Sequence, residues 1–148
     1  MENQKEIALS VSKSILNGEW DKLAGILSDD FTYTGDGMHF NKPQYIDFMK
    51  GMKAGFSDMQ MEFTHVVNEG DLVNIRFITT CKHTGNFMGA PATNKNLEVG
   101  GIFIRRVQGN LVVQEWQTTD LLGTLSQMGF GTLFAYAIFN VLFKPKKK

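Results

Sequence analysis

Apolar residues recur along the N-terminal part of the chain at the spacing of a helix. Ile7, Ala8, Val11, Ile15 and Leu16 fall three and four apart, on one face, and Asn17-Gly18 supplies a left-handed stop. Trp20, Leu23, Ala24 and Leu27 form a second, shorter stripe, which Asp29-Asp30 breaks. The period then drops to two. Phe31-Thr32-Tyr33-Thr34 reads as a strand, turned by Gly35-Asp36-Gly37 into Met38-His39-Phe40. Asn41 is a good cap for a third helix, with Pro43 in its tolerant first turn and Tyr45, Ile46, Met49 and Met52 at helical spacing up to Gly55.

From Met59 onward strict alternation takes over. Met59, Met61, Phe63, His65 and Val67 share one parity; after the turn Asn68-Glu69-Gly70-Asp71, so do Val73, Ile75, Phe77, Thr79, Cys81 and His83. A loop rich in Gly, Pro and Asn, Gly85–Asn96, leads to a third long strand, Leu97–Val107. Gln108-Gly109-Asn110 then turns the chain into a fourth, Leu111–Asp120. Gly100-Gly101 lies inside a strand and predicts a bulge or bend that curls the sheet. The order α-α-β-β-α-β-β-β-β, with neither internal repeat nor linker, predicts an α+β fold. A strongly curved antiparallel sheet packed on the N-terminal helices encloses an apolar pocket.

A length of 148 residues suits one domain, and 20% charged with 11% aromatic content excludes disorder and disulfide-scaffold classes. Cys81 stands alone, so no intramolecular disulfide can form, which suits a reducing cytoplasm. Met1–Lys5 is polar and acidic and no apolar run follows it, so no secretory signal is expected. Twelve Phe and eight Met exceed what a bare core needs, and Met adapts to irregular ligand shapes. Zero net charge argues against nucleic acid as a partner. His39, His65, His83 and Cys81 lack the spacing of zinc ligands, and neither a phosphate loop nor a Ser or Cys nucleophile motif occurs, so no metal and no cofactor is expected. A proton-transfer enzyme and a plain binding pocket remain.

Three stretches carry a family resemblance: Val67-Asn68-Glu69-Gly70-Asp71-Leu72-Val73, the loop from His83 through Gly89-Ala90-Pro91 to Lys95, and Glu115-Trp116-Gln117-Thr118-Thr119-Asp120-Leu121 onward to Gly129. Together they resemble the SnoaL-like polyketide cyclase family, from about Ile7 to Gly129. The resemblance implies the cone-shaped α+β barrel of the nuclear transport factor 2-like superfamily. It also implies a deep apolar pocket used for aldol ring closure without cofactor, and an aspartate late in the final strand as general acid/base, which Asp120 matches. The superfamily also holds isomerases, epoxide hydrolases and non-enzymatic binding domains, so fold alone does not name the chemistry. The cyclases place a histidine on the strand before the aspartate; Leu97–Val107 has none and carries Arg105 and Arg106 near its end.

Asp120 shares strand parity with Val112, Gln114, Trp116 and Thr118, so it enters the cone if Trp116 does. There a desolvated carboxylate could take and return a proton; equally, Asp120 is a preferred N-cap for a helix starting at Leu121. His65 or His83 would assist by donating a hydrogen bond to a developing enolate, and either also suits a structural place. Tyr33, Tyr45, Met49, Phe63, Phe77 and Trp116 are the candidate pocket residues. Two functions follow. One is cofactor-independent cyclase or isomerase chemistry on an apolar polyketide-like or terpenoid-like substrate; the other is a non-catalytic module for a hydrophobic ligand.

The balanced charge hides a split. Lys144, Lys146, Lys147 and Lys148 follow the last acidic residue, Asp120, so residues 1–143 hold 11 basic against 15 acidic side chains, a net −4. The chain thus divides into a domain over 1–129 and an apolar helix with a Lys-rich end over 130–148. As a helix, Leu133–Phe143 reaches only about 16 Å, roughly half a bilayer core. Three readings of this segment stay open: packing over the mouth of the cone or on the partner of a homodimer, lying on a membrane surface with its lysines on anionic headgroups, or forming a short anchor. The expected location is cytoplasmic, with membrane-peripheral contact under the second reading.

Overall fold

The computed structural model describes residues 2–143. Helices α1 (Glu2–Asn17) and α2 (Trp20–Ile26) precede strand β1 (Leu27–Gly35) and β2 (Met38–Asn41); α3 (Lys42–Gly55) follows. Four long strands come next: β3 (Phe56–Glu69), β4 (Leu72–His83), β5 (Asn96–Gln108) and β6 (Leu111–Thr119). Helices α4 (Leu121–Met128) and α5 (Phe130–Phe143) close the described chain, and the expected Lys-rich end, 144–148, lies outside it.

The caps explain the helix bounds. Gly18 turns the chain out of α1 at φ +69°. Lys53 of α3 donates to the Leu16 carbonyl at the end of α1, 2.6 Å away, tying the two helices together where α1 leaves carbonyls unmet. Asn41 and Gln44 form a reciprocal capping box at the start of α3, with Pro43 in its first turn. Asp29-Asp30 does not end α2: the helix stops at Ile26 and β1 begins at once, with Leu27, Ser28, Phe31 and Tyr33 buried and both aspartates exposed.

The six strands lie in the order β2-β1-β6-β5-β4-β3. β3 to β6 form the predicted antiparallel meander, but β1 runs parallel to β6, so the curved sheet is mixed and is not closed into a barrel. Hairpin β1–β2 reaches this edge through α1 and α2, and the long jump from β2 by way of α3 to β3 carries the chain to the opposite edge. The helices cover the inner face. Ala8, Val11 and Ile15 of α1, Leu23 of α2, and Tyr45 and Met49 of α3 meet Val73, Ile75, Phe77, Phe103, Val107 and Val112 of the sheet in one continuous core.

Gly100-Gly101 produces no bulge: β4 and β5 pair in unbroken register there, Phe77 opposite Gly101. A Cβ on Gly101 would lie 2.6 Å from Phe77 Cζ and 2.7 Å from the Thr118 carbonyl oxygen. The glycine makes room for the Phe77 ring, which stacks on Phe103 at 4.2 Å. Register shifts occur elsewhere, at Ser57/Gln60 and Phe63/His65 in β3 and across Arg106/Val107 between β5 and β6. Each extra residue turns the side chains beyond it to the other face.

Candidate functional site

Between α1, α3 and the inner face of the sheet lies a cavity of about 180 Å³. Its wall is rich in methionine and aromatic side chains. Six of the eight methionines line it, Met38, Met49, Met52, Met59, Met61 and Met88, together with Phe48, Phe56, Phe77, Phe87 and Phe103. An apolar cavity of ~150 Å³ is known to stay dry and to admit benzene, so this space suits a body of about one or two rings.

Polar groups gather on the β1–β6 side. Tyr33, Asp36, Gln117 and Thr119 all line the cavity, and Asp36, in the β1–β2 turn at φ 48°, accepts a 3.0 Å hydrogen bond from the Thr119 backbone N–H. Gln117 donates through Nε2 to Thr119 Oγ1 at 2.8 Å, and among the described residues neither its buried Oε1 nor Thr79 Oγ1, also on the wall, has a partner. Burial, then the charge of Glu115, then that of Asp36, hold the Tyr33 phenol far above its ordinary range, so it stays protonated and able to donate.

Deeper in, the fold buries a charged pair. Arg105 Nε donates to Glu115 Oε2 at 2.6 Å, and its Nη1 donates to the Ala8 carbonyl at 2.6 Å and to Ser12 Oγ at 2.8 Å. Tyr45 donates to the two Glu115 oxygens at 3.2 and 3.3 Å, and the guanidinium stacks on the Phe103 ring. Both charged side chains are fully buried. Burial first, then the nearby Glu115, push the Tyr45 phenol well up. Arg105 and Glu115 offset each other across β5 and β6, and α1 accepts both hydrogen bonds of Nη1.

The predicted residues divide. Tyr33, Tyr45, Met49 and Phe77 line the cavity; Phe63 packs half-buried in the core beside it. Trp116 faces the other side of β6, beneath the Arg106 guanidinium at 5.3 Å. Asp120 is exposed and caps α4, accepting from Gly123 N at 2.9 Å. The parity linking Trp116 to Asp120 holds, but both point outward. The register shift at Arg106/Val107 puts Val112 and Glu115 on the inner face, which breaks the parity Val112 shares with Gln114 in the sequence. His65 is exposed and contacts Thr64 Oγ1 at 3.1 Å, because the bulge after Phe63 turns it out and Val66 in.

His83 is fully buried yet outside the cavity wall. Thr93 N–H donates to its Nδ1 at 3.3 Å, Thr93 Oγ1 lies 3.1 Å from the same atom, and its buried Nε2 has no hydrogen-bond partner among the described residues. Burial lowers its pKa, opposed by a backbone hydrogen bond with Gly85, and burial raises that of the Cys81 thiol. Asp120, His65 and His83 are therefore not brought together. Among the described residues no group of three His, Cys, Asp or Glu is placed to hold a metal ion.

Local patterning does not single out Asp36, Gln117, Thr119 or the pairing of Arg105 with Glu115. Parity could have found Arg105, since it shares the face of Phe103 and Val107. Nothing local distinguishes Asp36 from an ordinary turn residue.

Comparison with known proteins agrees with this architecture. The chain superposes on AclR from Streptomyces galilaeus, a candidate hydroxylase, with a TM-score of 0.78 and 22% identity, covering 87% of this chain and 97% of that one. IdmH from Streptomyces antibioticus, a candidate polyketide cyclase, gives 0.76 and 21%, covering 85% and 98%. A candidate SnoaL-like polyketide cyclase from Jannaschia Sp. CCS1 gives 0.80 and 20%, covering 86% and 92%. At these identities the likeness shows the fold. No functionally curated protein matches the chain. The sequence model of SnoaL-like polyketide cyclases matches residues 6–128, and the chain belongs to that family.

Proposed function

We propose that the cavity binds an apolar molecule of one or two rings, polyketide-like or terpenoid-like, and carries out cofactor-independent proton transfer on it, of the aldol-cyclisation or isomerisation type. The observation that carries the proposal is a carboxylate and a neutral phenol, Asp36 and Tyr33, on one side of a largely apolar cavity. Asp36 would take the proton next to a substrate carbonyl and return it later. Tyr33 would donate a hydrogen bond to the enolate oxygen, which gains charge as the proton leaves. The free Gln117 Oε1 and Thr79 hydroxyl favour a ligand that also carries hydroxyl groups, because a buried polar atom without a partner costs free energy until one arrives.

The test is exchange of the α-hydrogens of α-tetralone, a two-ring aryl ketone, followed by NMR in heavy water. The wild type should accelerate exchange, and Asp36→Asn should lower the rate by about 100-fold or more. Asp120→Asn, run in parallel, decides between the two carboxylates: loss there and not at Asp36 would overturn the assignment. A second reading, a binding module without chemistry, is favoured by the absence of an Asp–His pair from the cavity wall. A ligand retained in native mass spectrometry, with no exchange above buffer, would support it.

A further inference from the structure

Helix α5 leaves its apolar surface uncovered. It packs on α4, and its Phe139 ring lies over Gly89, where a Cβ would come within 2.9 Å of Cδ2. Away from these contacts, Gly131, Phe134, Ala137, Ile138, Val141 and Leu142 are exposed, and their spacing places them on one stripe. Val141 is 81% exposed, Phe134 71% and Leu142 67%. No charged residue occurs from Leu121 to Phe143, and the next five residues, Lys-Pro-Lys-Lys-Lys, carry four positive charges.

We propose that α5 and the lysines following it dock on an anionic lipid surface, the helix lying in the interfacial zone and the lysines among the headgroups. Fourteen helical residues span about 21 Å, less than the ~30 Å hydrocarbon core, and no helix among the described residues is long and apolar enough to cross a membrane. A helix of this kind gains by partial immersion. The exposed stripe offers hydrocarbon and no side-chain donor or acceptor. A protein partner would find no polar contact there to set its register, whereas a bilayer needs none. The charge pattern favours the same occupant. Residues 1–143 are net negative and are repelled by an anionic leaflet, so the +4 segment turns the α5 end toward it. In a parallel pairing with a second copy, the two +4 segments would meet and repel. Phe139 on Gly89 stands beside Met88 of the cavity wall, so docking brings that wall to the lipid; the docking itself does not depend on what the cavity does.

The experiment is cosedimentation of the full chain with vesicles of phosphatidylcholine plus phosphatidylserine, against phosphatidylcholine alone, at low and raised salt. Binding should require the anionic lipid and weaken with salt. Val141→Asp combined with Leu142→Asp should weaken it by about tenfold or more, as should replacing the four lysines by glutamine. Both variants change only exposed or terminal positions, and unchanged thermal unfolding by circular dichroism shows that they remain folded. Equal binding to both vesicle types, or no binding to either, would overturn the proposal. So would aspartate variants that split a dimer in analytical ultracentrifugation while vesicle binding is retained; the stripe would then be covered by a second copy.

Discussion

Arg105 and Glu115 carry full charges and are wholly buried, whereas Val141, Leu122 and Phe134 are hydrocarbon and stand 81, 72 and 71% exposed. In the first region two charges leave water together, and the geometry compensates them: a 2.6 Å ion pair, a tyrosine hydroxyl on the carboxylate, and a carbonyl and a serine hydroxyl on the guanidinium. Losing hydration costs several kcal/mol per ion, and only such satisfaction offsets it. In the second region the apolar side chains of α4 and α5 extend past the edge of the core. Residue type therefore does not decide exposure in this molecule. Charges go inside where the sheet and α1 supply partners, and hydrocarbon remains outside where the fold supplies no cover. The proposed lipid docking uses this uncovered patch.

The comparison breaks most sharply at Glu115. Glu115→Gln leaves Arg105 buried without a counter-charge and should cost about 3–5 kcal/mol in urea unfolding, while Val141→Ser in α5 should stay within about 0.5 kcal/mol. Similar costs for both would mean that the buried pair does not hold β5 and β6 to α1.

His83 sharpens it through pH. Burial holds its imidazole below the ordinary 6.5, so below that pH the unfolded chain binds a proton that the native protein resists. Stability should be complete above about pH 6.5 and fall as the pH drops; His83→Gln should lose this part of the slope. His39 and His65, common to both proteins, cancel in the difference. A wild type and variant with parallel pH profiles from neutral to acid would count against a buried, proton-resisting His83.

A modest effect is expected at Asp120, on the margin between the two regions. Asp120→Ala removes the α4 cap and should cost about 1 kcal/mol in thermal unfolding, while Asp120→Asn, which caps as well, should cost little. An equal loss for both would point to a role for the negative charge beyond capping.

Much of the fold is legible residue by residue. The helical spacing of Ala8, Val11 and Ile15, the cap at Asn41 and the alternation through Val73–Cys81 each reappear as the predicted element, because each rests on contacts within a few residues. Tyr33, Tyr45, Met49 and Phe77 were legible as cavity residues for the same reason: parity or helical face carried them inward without interruption. His65 and Trp116 were not. A single bulge between Phe63 and His65, and another between β5 and β6, reverse the facing of everything beyond them. Such a shift depends on the partner strand and leaves no mark in local periodicity. Asp36 was hidden for a different reason. It lies in a glycine turn and becomes part of the cavity wall only because β1 pairs with β6, whose residues are some eighty positions away in the chain and whose Thr119 N–H it accepts.

By itself the sequence determined the α+β class, the element order, the family, and the contrast between an acidic domain and an apolar segment ending in lysines. All of these follow from local periodicity, composition and residue identity. Tertiary structure alone decided that β1 joins β6 in parallel, that Arg105 and Glu115 meet inside, that Asp120 serves as a helix cap in solvent and stays out of the cavity, and that Asp36 and Tyr33 share a cavity. Each depends on which strands become neighbours and in what register, and that choice comes from burying the whole apolar face at once rather than from any segment read alone.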